Sequence, residues 1–113
     1  MSHHRPRNRY IGFHIQSNDP DFFIDRRSMI QALRKNCQSH TGQPCKSYGI
    51  FLTRFQDNAG IVRCHHTAKE LTISLLQSIS SLNNTHVHIE TIGTSGTIKS
   101  LLSKHFSDDV LRR

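Results

Sequence analysis

No stretch of this sequence approaches the 18 or more consecutive apolar residues of a membrane-spanning helix, so a helical membrane protein is not expected and no membrane partner is predicted. The first residues, Met1-Ser2-His3-His4-Arg5, carry no apolar core of the kind a secretory signal needs, and a cytoplasmic location is the expectation. Cysteine is scarce and odd in number. Cys37, Cys45 and Cys64 form no C-x-x-C pair, which argues against a disulfide framework and a four-cysteine zinc site and predicts reduced, buried thiols. The eight acidic residues are scattered, from Asp19 to Asp109, with no paired carboxylates and no nucleophile beside a base, so no catalytic residue is expected in this chain. His86-x-His88 and His65-His66 supply imidazoles in twos, short of the three or four convergent ligands of a metal centre, and no metal site is predicted. Internal repeats, low-complexity tracts and long linkers are also missing.

What is abundant is positive charge. Fifteen Lys and Arg against eight Asp and Glu give a formal net charge of +7 in 113 residues, and the isoelectric point is near 9.9. Such a field favours polyanions, of which nucleic acid is the commonest inside a cell. The length suits one domain with a modest core. We divide it into a basic flexible arm at 1–8, a single domain at 9–106 and a tail at 107–113.

Ile11, Phe13 and Ile15 alternate with Tyr10, Gly12 and His14, which predicts a half-buried strand over Arg9–Gln16, closed by the turn signal Ser17-Asn18-Asp19-Pro20-Asp21. A helix is predicted to start at Asp25 as N-cap, to carry Met29, Ile30, Leu33 and Cys37 at helical spacing, and to end at Gly42 and Pro44. Tyr48–Phe55 reads as a second strand and Gly60–His65 as a third, joined by the turn Gln56–Gly60 in a hairpin. Thr67-Ala68-Lys69-Glu70 has the form of a capping box, opening a helix with Leu71, Leu75, Ile79 and Leu82 on one stripe and Asn83-Asn84 as its stop. His86–Ile92 is the fourth predicted strand. Gly93-Thr94-Ser95-Gly96 then leads into a last helix with Ile98, Leu101, Leu102 and Phe106 on its apolar side.

This order predicts an α+β fold: a ferredoxin-like, RNA-recognition-like β-α-β-β-α-β sandwich with an additional C-terminal helix. The same order also builds metabolite-sensing domains, but those need a Gly-rich loop after strand one, and the turn at Ser17–Pro20 has no glycine.

The Gly93–Lys99 segment is expected to place Thr94 or Ser95 at a helix N-cap, followed by free backbone amides, the Thr97 hydroxyl and the Lys99 ammonium. That arrangement suits a phosphate oxygen, with Gly96 allowing close backbone approach. It is not a nucleotide-hydrolysing P-loop, because the terminal Gly-Lys-Ser/Thr is absent; the alternative is a capped helix whose glycines only make the turn. Arg63, with Ile61 and His65, is predicted to face the open side of the sheet together with Tyr10, Gly12 and His14. That face can meet RNA by stacking and phosphate contact, although the third strand lacks the paired aromatics of the usual RNA-recognition motif. It can equally be a protein–protein surface, or lie under the C-terminal helix. Arg5, Arg7 and Arg9 in the arm, and Lys104, Arg112 and Arg113 near the other end, read as phosphate clamps or as solvated tails.

Three segments go beyond pattern: Arg9-Tyr10-Ile11-Gly12-Phe13, Gly60-Ile61-Val62-Arg63-Cys64, and Thr91-Ile92-Gly93-Thr94-Ser95-Gly96-Thr97-Ile98-Lys99-Ser100-Leu101. In this order and spacing, over roughly residues 7–106, they resemble the archaeal and eukaryotic ribonuclease P protein component 2 family. The resemblance implies a protein subunit of the RNA–protein enzyme that removes 5′ leaders from precursor tRNA. It implies that the RNA component does the chemistry with its Mg2+, and that this chain binds no cofactor itself. It further implies that the chain contacts the ribonuclease P RNA, meets precursor tRNA in the complex and pairs with a barrel-like protein subunit among other ribonuclease P proteins. The RNA-binding candidates are then Arg5, Arg7, Arg9, Tyr10, Arg63, Thr94, Ser95, Gly96, Thr97, Lys99 and Lys104.

Overall fold

A computed structural model describes residues 7–105, and Arg5, Phe106, Arg112 and Arg113 lie outside that range. The described chain is α+β, with a five-stranded antiparallel sheet and three α-helices. The elements are β1 (Asn8–Ser17), α1 (Arg26–Thr41), a 3-10 turn (Cys45–Tyr48), β2 (Phe51–Gln56), β3 (Ala59–His65), a 3-10 turn (His66–Ala68), α2 (Lys69–Gln77), β4 (Ser81–Leu82), β5 (Thr85–Ser95) and α3 (Ile98–His105). The strands lie in the order β2-β3-β1-β5-β4.

One sheet face carries Ile11, Phe13 and Ile15 from β1, Leu52 from β2, Val62 and Cys64 from β3, and Val87 and Ile89 from β5. These form one core with Met29, Leu33 and Cys37 of α1 and Leu75 and Leu76 of α2. The alternation read from β1 is therefore the pleat itself. On the opposite face a smaller cluster joins Ala59 and Ile61 of β3 to Leu101 and Leu102 of α3, with Tyr10 and Ile98 at its margin. The sheet is thus covered on both sides, and the face expected to be open is partly closed by α3.

α1 begins after Asp25, as predicted, and the Ser28 side chain beside Asp25 holds its carboxyl below the usual range. The helix ends at Gly42, whose φ of 73° is the left-handed region that glycine adopts without strain, and whose N–H donates to the Gln38 carbonyl at 2.9 Å. The Asn36 amide staples α1 to the end of α2, donating to the Leu75 carbonyl and the Ser78 hydroxyl at 2.7 Å each.

Several predicted boundaries are corrected. The second strand starts at Phe51 and not Tyr48, because Cys45–Tyr48 close a 3-10 turn that ends at Gly49. The capping box does not form: α2 starts at Lys69 without a side-chain cap, and Glu70 instead approaches Lys69 at 3.5 Å. α2 stops at Gln77, so Ile79 and Leu82 reach the core from a turn and from β4, a short strand the periodicity does not reveal. Asn83 and Asn84, both at positive φ (50° and 65°), turn the chain from β4 into β5, which is the role Asn tolerates and not a helix stop. Finally, β1 begins at Asn8, and the Arg7 carbonyl already accepts the His66 N–H at 2.7 Å, so the strand starts before the predicted Arg9.

Gly60 is required for packing. It pairs with both Phe13 and Phe55, whose rings stack across it at 6.2 Å. A Cβ on Gly60 would lie 2.7 Å from the Phe13 ring and 2.8 Å from the Arg54 carbonyl oxygen, and the latter is backbone that cannot swing away. Gly60→Ala is therefore expected to cost about 2 kcal/mol through overpacking, a fall in Tm of roughly 8–16 °C for a domain of this size. Thermal unfolding followed by circular dichroism measures it.

All three cysteines are free and buried. Burial, reinforced by the neighbouring Cys37 thiol, pushes the Cys45 thiol up to about 11 from its ordinary 9.0, and burial raises Cys64 as well. Unfolded thiols ionise near 9.0 while Cys45 keeps its proton, so the unfolded state binds fewer protons above that pH. Stability is then intact below pH 9 and falls as the pH rises toward 11, a trend that Tm measured at pH 8 and pH 10 exposes.

Candidate nucleic-acid interface

β1 and β5 pair so that Tyr10 lies opposite Ser95, Ile11 opposite Thr94 and Gly12 opposite Gly93. This pairing extends β5 to Ser95, three residues past the predicted end, and moves the helix cap. Thr97, not Thr94 or Ser95, caps α3: its Oγ1 accepts the Ser100 N–H at 3.1 Å, and its carbonyl accepts the Leu101 N–H at 3.2 Å. The Ser95 hydroxyl accepts the Thr97 N–H at 3.4 Å and so stiffens the entry to the helix. The cap leaves the amides of Ile98 and Lys99, which no helical carbonyl can reach.

Arg9 pairs with Cys64 and so leaves β1 on the α1 and α2 face, the face of Thr94, and its guanidinium reaches the sheet end where the chain enters α3. The Arg9 guanidinium lies beside Gly96, where a Cβ would be 3.9 Å from Arg9 Nη1 and would meet nothing closer. Arg9 also donates to the Asn8 carbonyl at 3.1 Å, which holds the side chain along the strand end. Lys99, in the first turn of α3, is exposed, as are Gly96 and Thr97. Neither Arg7–Asn18 nor Thr91–Lys104 contains an acid. Acids gather at the other end of β1: Asp19 in the turn that follows it, and Asp57 in the β2–β3 turn. Asn58 ties these two turns together, its carbonyl accepting the Ile15 N–H at 2.7 Å and its side-chain amide donating to the Phe22 carbonyl at 3.0 Å. At the end where β1 begins, Glu70 opens α2 and is paired with Lys69 at 3.5 Å.

The remaining candidates are not all part of this corner. Arg63 pairs with Tyr10 and lies one strand further in, half-buried. Thr94 pairs with Ile11 and so projects from the face opposite Ser95 and Tyr10. Lys104 is exposed on α3, five residues beyond Lys99 and hence about 140° around the helix from it. Arg7 is exposed just before β1. His86 and His88 are exposed on β5, and among the described residues no three of His, Cys, Asp and Glu converge. No helix among the described residues is long and apolar enough to cross a membrane.

One residue was missed from the sequence. Phe51 is 54% exposed, pairs with Arg63 on the edge strand, and has the Arg63 guanidinium 5.3 Å from its ring centroid. The only signal was an aromatic at the head of the second strand, and its partner is fixed by strand register.

Comparison with known proteins agrees with this architecture. A family model described as the Rpp14/Pop5 family matches residues 9–105. A protein of Archaeoglobus fulgidus named Ribonuclease P protein component 2 is 34% identical over 101 residues, spanning 89% of this chain and 90% of the relative. A protein of Pyrococcus horikoshii with the same name is 36% identical over 103 residues, spanning 88% of this chain and 83% of the relative. A chain in the cryo-EM structure of yeast Ribonuclease MRP shares the fold, with a TM-score of 0.66, 85% of this chain and 79% of that chain covered, and 17% identity. Matched from Arg9 to His105 by the family model, and over most of its length by relatives above 30% identity, the chain belongs to the Rpp14/Pop5 family.

Proposed function

We propose that this chain is a protein subunit of ribonuclease P that binds the enzyme's RNA and supports cleavage of the 5′ leader from precursor tRNA. The names of its archaeal relatives support the complex. The observation that supports RNA as a direct ligand is the corner where the Arg9 guanidinium lies beside Gly96 at the Thr97-capped start of α3, with Lys99 exposed in the first turn of that helix. There a phosphate oxygen finds a forked guanidinium, two helix amides, a point charge and a hydroxyl. Thr97 Oγ1 accepts the Ser100 N–H while its own proton remains for donation. Gly96 leaves the approach clear of side chain.

On this reading Tyr10, Arg63 and Ser95 extend the contact across the sheet, Thr94 and Lys104 touch neighbouring strands of the RNA, and Arg5 and Arg7 add phosphate contacts from the basic arm at 1–8. The chain binds no cofactor and holds no catalytic residue. Cleavage belongs to the RNA component and its Mg2+, so the protein acts by charge neutralisation and positioning. We read the fold as a single ferredoxin-like domain over 9–106. The strand order and the placement of α1 and α2 on one face support this, with β4 as an added edge strand. A barrel-like protein subunit is the expected partner, and the cytoplasm the expected location.

Reconstitution tests the proposal. The cognate ribonuclease P RNA is assembled with its other proteins, with and without this chain, and precursor-tRNA cleavage is measured. The rate is expected to fall when the chain is omitted; equal rates in every combination contradict the proposal.

A further inference from the structure

Strand register places four residues side by side across the sheet: Phe51 pairs with Arg63, Arg63 with Tyr10, and Tyr10 with Ser95. Paired residues share a face. Tyr10 and Ile98 flank the cluster in which Leu101 and Leu102 lie over Ile61 and Ala59, so this face is the one that carries α3. Ile61 and Ala59 sit two and four residues before Arg63 on β3, so the row runs past the helix at the same end of the sheet as the Arg9–Lys99 corner. With strands about 4.8 Å apart, the row spans roughly 14 Å. It alternates ring, guanidinium, ring and hydroxyl.

Only two large apolar side chains are exposed among the described residues, Phe23 at 67% and Phe51 at 54%. Their surroundings differ in charge. Phe23 stands between Asp21 and Asp25, whereas Phe51 is held beneath Arg63 at 5.3 Å. An arginine plane already stacked on a ring is a preformed step onto which a nucleobase can extend, because every base offers a π-face and bases stack on both aromatic and guanidinium planes. We infer that Phe51, with Arg63 and Tyr10, forms a stacking platform for an unpaired RNA base whose flanking phosphates run toward Arg9 and Lys99. This inference rests on the RNA-binding reading above and adds to it a substrate feature: single-stranded nucleotides, not a continuous duplex, are held at this end of the sheet.

The test uses the full chain and two RNA probes of equal phosphate count, a single-stranded oligoribonucleotide carrying one 2-aminopurine and a blunt, fully paired duplex. Phe51 is surface-exposed, so Phe51→Ala is expected to keep its circular dichroism spectrum and Tm. It should bind the single strand roughly tenfold more weakly, lose the 2-aminopurine quenching seen with the wild type, and keep its affinity for the duplex and its salt dependence on both probes. Phe51→Trp is expected to retain single-strand binding. Equal loss on both probes overturns the inference, since the ring would then act only by placing Arg63. Unchanged affinity on both, with wild-type salt dependence intact, also overturns it. The ring would then belong to a protein contact, together with the groove of about 380 Å³ formed by Ile30, Leu33, Pro44, Ile50 and Leu52 beside it. Failure of the RNA-binding reading itself is distinct: the wild type would bind neither probe with any dependence on salt.

Discussion

Leu101→Ala is expected to lower stability by about 3 kcal/mol, a fall in Tm of roughly 12–24 °C for a domain of this length, and to abolish most RNA affinity at temperatures where the sheet is still folded. Leu101 is completely buried, yet the cluster it belongs to holds only Ala59, Ile61 and Leu102 besides, with Tyr10 and Ile98 at the edge. α3 meets the sheet through this cluster, and most helical stability comes from packing an apolar face. Truncating its main anchor therefore removes both the cavity-lining side chain and the reason for the helix to form. With α3 undocked, the Thr97 cap opens, Lys99 loses its fixed place in the first turn, and the surface under the helix is exposed. The larger core between the sheet and α1 and α2 is a separate cluster and should survive. Hydrogen exchange distinguishes the two: amides of Ser100 and Leu101 should lose protection in the variant while those of β1 and β3 keep theirs. Uniform loss across the chain would mean that α3 is integral to the main core and not a docked element.

The second large effect concerns charge. Arg9→Ala with Lys99→Ala is expected to weaken RNA binding about 10- to 100-fold at low salt, because each side chain supplies a charge-assisted contact worth roughly 1.5–3 kcal/mol, offset in part by solvent screening at this surface. The variant should also flatten the salt dependence by about 1.4–1.8 in slope, the equivalent of two phosphates left unneutralised. Its fold should be unaffected, since Lys99 is exposed and the hydrogen bond of Arg9 goes only to the adjacent Asn8 carbonyl. Filter binding over a salt series reads both quantities. An affinity loss with an unchanged slope would assign the two residues to shape and not to phosphate contact.

Much of this was legible from residue order because local pattern and tertiary need coincide there. The β1 alternation of Ile11, Phe13 and Ile15, the α1 stripe of Met29, Leu33 and Cys37, and the Gly42 stop were all read correctly. The misreadings have specific causes. Ile79 and Leu82 continue the helical spacing of Leu71 and Leu75, and they are buried, but the Ile79 N–H turns to the Leu76 carbonyl while the Leu75 carbonyl accepts from the Ser78 hydroxyl and from Asn36 of α1. Asn36 lies 39 residues from Leu75 in sequence, so that part of the helix end is set by tertiary contact. Gly93-Thr94-Ser95-Gly96 has loop composition, yet β1 recruits Gly93, Thr94 and Ser95 into the sheet, an instance of pairing overriding propensity. That single extension moved the cap from Thr94 or Ser95 to Thr97. At the site, the charges were readable individually, but their grouping was not: Arg9 meets Gly96, and Phe51 meets Arg63, only once the register is known. Lys104, by contrast, is the same residue type in the same helix as Lys99 and points elsewhere.

The central claim is that this chain holds RNA chiefly through its phosphates at one cationic end of the sheet. The most direct measurement is the affinity of the wild-type chain for its cognate ribonuclease P RNA across a salt series. Neutralisation of at least three phosphates by Arg9, Arg63 and Lys99 predicts that log affinity falls with log salt at a slope of about −2 to −3 or steeper. A slope near zero would contradict it.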